Sequence, residues 1–294
     1  MKGRIIVAAR PNVKGLITVS ARLSVDRMKI VLTADLHYGL RADGDESARA
    51  LASSICREGG DVLVLCGDNA GPPLKNYIDC LMLFRDFPGK KLAIAGNHDL
   101  WVNNGAPYDS YDMYAIILPE IYGRCGFHGL DYAPLVVGDV GLVGTVGWYD
   151  YTFREPALDI PMEMYVRKIL DDGTIWMDAK YIRWKFTDPE FTELTLAKMR
   201  EHIAIVEPQC ERIVSVFHHL PFENMVLRKP SRAWSFANAF MGSVTYGEEL
   251  LKHPKIQYAY CGHTHVPGAF QNGRIKCVNI GANYHSKRSE VLVL

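Results

Sequence analysis

Five short clusters of aspartate, histidine and glycine each follow a strand-sized apolar run, and this pairing constrains the fold of the chain more than any other feature. Asp35-x-His37 follows Lys29 to Ala34, Gly67-Asp68 follows Asp61 to Cys66, and Gly96-Asn97-His98-Asp99 follows Lys91 to Ala95. His218-His219 follows Arg212 to Phe217, and Gly262-His263-Thr264-His265 follows Ile256 to Tyr260. Between the first three runs lie helical stretches. Glu46 to Glu58 carries Ala48, Leu51, Ala52 and Ile55 on one face and ends at Gly59-Gly60; Leu74 to Asp86 ends at Pro88-Gly89. Strand, helix, strand in this order means βαβ units and an α/β layered fold. Parallel strands deliver their C-terminal ends to one edge, so residues far apart in sequence converge there.

Later runs extend the pattern. Leu135 to Val137 and Val140 to Val146, joined through Gly138-Asp139, read as a hairpin, and Asp188-Pro189 starts a helix running towards Val206. Arg274 to Ile280 and Glu290 to Leu294 are expected to finish the sheet. Residues 101–187 break the rhythm and are rich in aromatic residues, expected to be core more than a platform for stacking a base. Within them Tyr151 to Thr187 follows neither period and is expected to be a lid that sets substrate choice. Its Arg154, Arg167, Lys168, Lys180, Arg183 and Lys185 are then available to anionic groups. With no repeat or low-complexity linker, one domain with an inserted subregion is preferred.

Lys+Arg and Asp+Glu are both 33, so no whole-molecule field draws the protein to nucleic acid or anionic lipid, and neither is an expected partner. No apolar run approaches the roughly 18 to 20 residues that span a bilayer. The seven cysteines are odd in number and lack CxxC spacing, which reads as reduced thiols and a cytoplasmic location. Met1 to Val25 holds five basic residues and no acidic one, but its apolar run is too short for a secretory leader. Residues 1–27 are expected to be an N-terminal extension, and 28–294 the domain.

Pooled, the clusters give two carboxylates, an amide oxygen and several imidazoles, a set suited to Zn, Mn or Fe rather than to Ca. In this order they resemble the five-motif signature of the calcineurin-like metallophosphoesterases, from Met28 almost to the end apart from the insertion. The resemblance implies a four-layer α/β/β/α sandwich with two divalent transition-metal ions (Mn, Fe, Zn or Co) at its edge. It implies Asp35, His37, Asp68 and His265 at one ion and Asp68, Asn97, His218 and His263 at the other, with Asp68 bridging. A hydroxide shared by the ions then attacks phosphorus, His98 is the candidate acid for the leaving group, and Asp99 is its candidate orienting partner. His218 is preferred to His219 as ligand because adjacent strand-end residues point opposite ways. His128, His202, His253 and His285 lack motif context and read as surface or supporting residues.

Departures narrow the class. Asp68 is followed by Asn69-Ala70-Gly71, unlike the Val-Asp-Arg-Gly run of the serine/threonine phosphatases and without the tyrosine of purple acid phosphatases. His98 stands where lipid A pathway pyrophosphohydrolases have arginine. A small-molecule phosphomonoester or phosphodiester is the expected substrate. The rivals are a non-catalytic metal-bearing scaffold, which typically loses ligands that are all filled here, and a nuclease, for which no basic stripe is present.

Overall fold

The computed structural model describes residues 27–294. The expected N-terminal extension lies outside them, apart from Arg27.

Eleven strands form two sheets among the described residues. The first contains β1 (Lys29–Thr33), β2 (Val62–Cys66), β3 (Lys90–Ile94) and the two-residue β4 (His128–Gly129), all parallel. The second is built from β5 (Leu135–Val137), β6 (Val140–Thr145), β7 (Arg212–Phe217), β8 (Ile256–Cys261), β9 (Gly268–Asn272) and β10 (Ile275–Asn279). Its order is β5-β6-β7-β8-β10-β9; β6, β7, β8 and β10 are parallel, with antiparallel edges at β5 and β9. The last strand, β11 (Ser289–Val293), returns to the first sheet and pairs antiparallel with β1. Arg274 to Ile280 and Glu290 to Leu294 therefore finish different sheets.

The runs are apolar at successive positions because both faces of each sheet are covered. Ile30, Leu32, Val62, Val64, Leu92 and Ile94 point between the sheets and meet Leu142, Val214, Val216 and Val278. The alternate residues Val31, Leu63, Leu65 and Ala93 pack with Ala48, Ala52 and Ile55 of the helix Ala42–Glu58 and with Tyr77, Cys80 and Leu81 of the helix Leu74–Met82. Beyond the second sheet, Val143, Ile213, Phe217 and Ile256 pack with Leu196, Met199 and Ile203 of the helix Asp188–Val206 and with Leu250 of the helix Val244–Lys252. The layers run helix, sheet, sheet, helix. Asp131, fully buried after β4, fastens the two sheets: its carboxylate accepts from Ala95 N at 2.8 Å and from Val146 N at 2.6 Å.

The first helix starts four residues before its expected first turn, at Ala42, where Asp43 and Asp45 favour the N-terminal dipole. The helix from Asp188 starts as expected, with a reciprocal Thr187 and Glu190 capping box. Tyr151 to Thr187 holds the short helices Met162–Arg167 and Asp178–Tyr181 and the 3₁₀ turn Pro156–Leu158, yet it is well anchored. Trp148 and Tyr149, just before it, are fully buried and stacked 4.7 Å apart; Trp148 Nε1 donates to Asp188 and Tyr149 OH to Asp178. No described helix is long and apolar enough to cross a membrane, and all seven thiols are free.

Candidate metal centre

Both sheets bring the C-terminal ends of parallel strands to one edge, and all five clusters meet there. Asp35 (φ 55°), His37 (44°), Asp68 (52°), His263 (72°) and His265 (56°) occupy the left-handed backbone region, which costs residues with a Cβ about 1 to 3 kcal/mol each. Neighbouring turns fix the strain: Asp35 N donates to Gly67 O, His37 N to Asp68 O and His263 N to the Asp35 carboxylate. The glycines make room. A Cβ on Gly96 would lie 2.1 Å from Asp68 Oδ1, and one on Gly262 would lie 2.6 Å from Asp35 Oδ2.

Asp35, His37 and His265 form one group whose ligand atoms fall within 4.8 Å of one another, and Asp68, His218 and His263 form another. His37 Nε2 is 3.0 Å from His265 Nε2 and 3.6 Å from Asp68 Oδ2, and His265 Nε2 is 3.7 Å from Asp35 Oδ1. On the other side, His218 Nε2 is 3.2 Å from Asn97 Oδ1, 3.2 Å from His263 Nδ1 and 3.3 Å from Asp68 Oδ1. Asp68 faces both groups.

Hydrogen bonds behind the centre determine what these atoms offer. His218 Nδ1 lies 3.1 Å from Cys66 O and His263 Nε2 lies 3.2 Å from Phe240 O. A carbonyl only accepts, so those nitrogens carry a proton, and the nitrogens facing the centre are the ones that can give a lone pair to an ion. Asn97 Nδ2 donates to Asp178 Oδ1 at 2.9 Å, which turns Oδ1 of Asn97 inward. Four atoms with lone pairs to offer an ion, Asp68 Oδ1, Asn97 Oδ1, His218 Nε2 and His263 Nδ1, thus converge. Such a set fits a cation.

The electrostatics agree. Burial pushes the Asp35 carboxyl up to about 7, against the pull of His218, and its Oδ2 has no hydrogen-bond partner among the described residues. Burial works against a charge on His218, but Asp68 and Asp35 outweigh it and lift the imidazole to about 9. The site therefore favours positive charge at its middle.

His98 donates its backbone N–H to Asp68 Oδ1 at 2.9 Å, and its ring stacks on Trp101 at 3.7 Å. Burial pulls its pKa below the ordinary histidine value, with Asp68 and Asp178 opposing. Asp99 does not play its expected part. It accepts from the backbone of Gly96, Asn69 and Ala70 and from Asn69 Nδ2, and it makes no hydrogen bond to His98. It braces the loops that carry Asp68 and Asn97. His219 is in neither metal group: its Nδ1 faces Val146 O, and its ring packs against Trp148 and against His263, 4.2 Å away. His202 is buried in the core; His128, His253 and His285 bond to Ala133 O, to Glu207 and Glu249, and to Asp43.

Asp178 had no sequence signal. Buried in the inserted segment, it accepts from Asn97 Nδ2 and Trp101 Nε1 on Oδ1, and from Tyr149 OH and Trp176 Nε1 on Oδ2. Tyr284, also unforeseen, sets its ring 4.7 Å from His37 and 4.6 Å from His265. Two clefts open beside His98, one towards Trp176 and Trp234 and one towards Trp101 and Tyr181. None of the basic side chains expected of the inserted segment lines either.

No curated protein matches the chain. Among solved structures it is similar to a phosphopantetheinyl hydrolase from Mycobacterium tuberculosis, with 18% identity, 88% of this chain and 91% of that one covered, and a TM-score of 0.72. A dimetal phosphatase from Danio rerio is similar at 13% identity, with 92% and 93% covered and a TM-score of 0.55. The Thermus thermophilus protein TT1561 follows at 12% identity, 91% and 99%, and 0.53. At such identities these likenesses speak for the fold. The calcineurin-like phosphoesterase family model matches residues 28–267, a span that holds every one of the five clusters, and the chain belongs to that family.

Proposed function

We propose that this member of the family is a dinuclear metal-dependent phosphoesterase acting on a small-molecule phosphomonoester or phosphodiester. The observation that carries the reading is the convergence of candidate ligand atoms: Asp68, Asn97, His218 and His263 on one side, Asp35, His37 and His265 beside them. Bound there, two divalent ions supply Lewis acidity towards the phosphoryl oxygens and an acidified water near neutral pH. Hydrolysis joins one water oxygen to phosphorus and breaks the bond to the leaving oxygen, which needs a proton. His98 is the proposed donor of that proton. Asp178 keeps Asn97 oriented, and Asp99 keeps the loops in register.

The filled donor set and His98 favour an enzyme over a metal-bearing scaffold, and the balanced charge speaks against a nuclease. Metal-stripped protein, checked by elemental analysis, should be inactive on a panel of phosphomonoesters and phosphodiesters and regain turnover with Mn, Co or Zn. Full activity without metal removes the dinuclear mechanism. The phosphopantetheinyl hydrolase neighbour, with the uncharged cleft beside His98, favours including a phosphopantetheinyl diester in the panel.

A further inference from the structure

Two clefts leave the metal centre in different directions and share His98. The first, of about 220 Å³, includes Asp68, Asn97, His263 and His265 in its floor and is walled by Trp176, Leu227, Trp234, Ala237 and Met241. The second, of about 170 Å³, begins at His37 and runs past Leu40, Pro72, Asn76, Trp101 and Tyr181. A phosphorus atom at the centre therefore has room for an organic group on each side of His98. A monoester fills only one.

The walls have no charge. Apart from the residues of the metal centre, no Lys, Arg, Asp or Glu lines either cleft. Lys168 is paired with Asp188 at 2.6 Å and Arg228 with Glu155 and Glu223, while Lys229 does not line the cleft but lies 3.6 Å over the ring of its wall residue Trp234. A second anionic group on the substrate would lose water there and meet no Lys or Arg in either lining, which is costly. The tryptophan walls offer no free polar atom. Trp101 and Trp176 give their indole N–H groups to Asp178, and Trp234 gives its own to Leu227 O, so ring surface is what remains to be touched. Leu227 is 39% exposed at the rim. One polar atom stands out: Asn238, 3% exposed, lines the first cleft, and its Nδ2 has no partner among the described residues. A rotation that brings this buried N–H to the cleft would give it an acceptor such as a carbonyl or ether oxygen.

We propose that the substrate is a phosphodiester with two uncharged organic arms, one lying against Trp176 and Trp234 within reach of Asn238, the other beside Trp101 and Tyr181. This rests on the phosphoesterase reading above and names its substrate class.

Three probes test it on the Mn-loaded full chain: p-nitrophenyl phosphate, p-nitrophenyl phenyl phosphate, and the same diester with a carboxylate on the phenyl arm. The neutral diester should give the highest kcat/KM, exceeding the carboxylate diester by about tenfold, or roughly 1.4 kcal/mol. Leu227→Lys should narrow that gap by bringing a cation to the wall, and Ala237→Lys provides a second position should the first variant fold poorly. Preference for the monoester, or equal turnover of the two diesters by the unmodified chain, overturns the inference and leaves the phosphoesterase reading standing. If the metal-loaded protein turns over none of the three, that reading falls and takes this inference with it.

Discussion

Asp178 is the residue whose removal most directly separates position from chemistry. It touches neither metal group, but it holds the Asn97 amide by its nitrogen and so selects the oxygen that faces the centre. Asp178→Asn sets an amide nitrogen against donors the carboxylate accepted from, and changes to such supporting partners typically weaken metal binding by about 10- to 100-fold. Mn titration against a competing chelator should show one of two sites weakened and the other intact, with the thermal midpoint of the metal-free variant reporting its fold separately. Equal binding at both sites, unchanged from the unmodified chain, would falsify the positioning role. His98 calls for a different measurement, because burial lowers its pKa and a neutral imidazole can also serve as a plain hydrogen-bond donor. As general acid it should be worth about 10² to 10⁴ in rate on alkyl esters, which need a proton to leave, and much less on p-nitrophenyl esters. If His98→Ala slows a leaving-group series uniformly, it stabilises phosphoryl charge instead. The contrast with Asp178 also shows what was legible. The Asp, His and Asn at strand ends stood out because short motifs followed apolar runs, whereas Asp178 sits in an aperiodic segment and gains its meaning from donors 2 to 81 residues away.

Among the elements, the legible ones were those whose local chemistry and burial agree. The helix from Asp188 was marked by Asp188-Pro189 at its first turn, and the central strands by unbroken apolar runs. β4 was not, because two residues carry no pattern, nor was β9, whose burial alternates only between intermediate and exposed at the sheet edge. The helix Val244–Lys252 is short and was overlooked despite Ser243, whose side chain caps it. Its attachment to the helix Asp188–Val206 runs through Glu249, which accepts from Arg200 at 2.8 Å, with Lys252 at 2.9 Å and His253 at 3.3 Å. Burial works against this carboxylate, but those bonds outweigh it and bring its pKa from 4.5 down to about 2. A depressed carboxylate contributes stability above its unfolded pKa and loses it as pH falls through the folded one. Glu249→Gln should therefore lower the urea midpoint at pH 7, and the deficit should shrink from near pH 4.5 towards about pH 2. A deficit as large at pH 2.5 as at pH 7 assigns the loss to packing.

For the whole molecule, the metal centre and the fold are one thermodynamic object. Its donors follow five strands spread over both sheets, so no set of neighbouring residues can assemble it in the unfolded state. Ions bound by the native chain alone must raise its stability, by about 2.7 kcal/mol for one site at a hundred times its Kd. For a chain of this size that is an increase in Tm on the order of 5 °C. The same measurement tests the boundary expected at Met28. The family match begins at residue 28, β1 begins at Lys29 between β2 and β11, and Leu294 N donates to Met28 O, so the pairing of the chain's last strand with β1 reaches Met28. A chain starting at Met28 should melt cooperatively and show the same rise in Tm on adding Mn as the full chain. If it melts normally but the rise disappears, residues before Met28 contribute to the metal centre; if it does not fold, they belong to the domain.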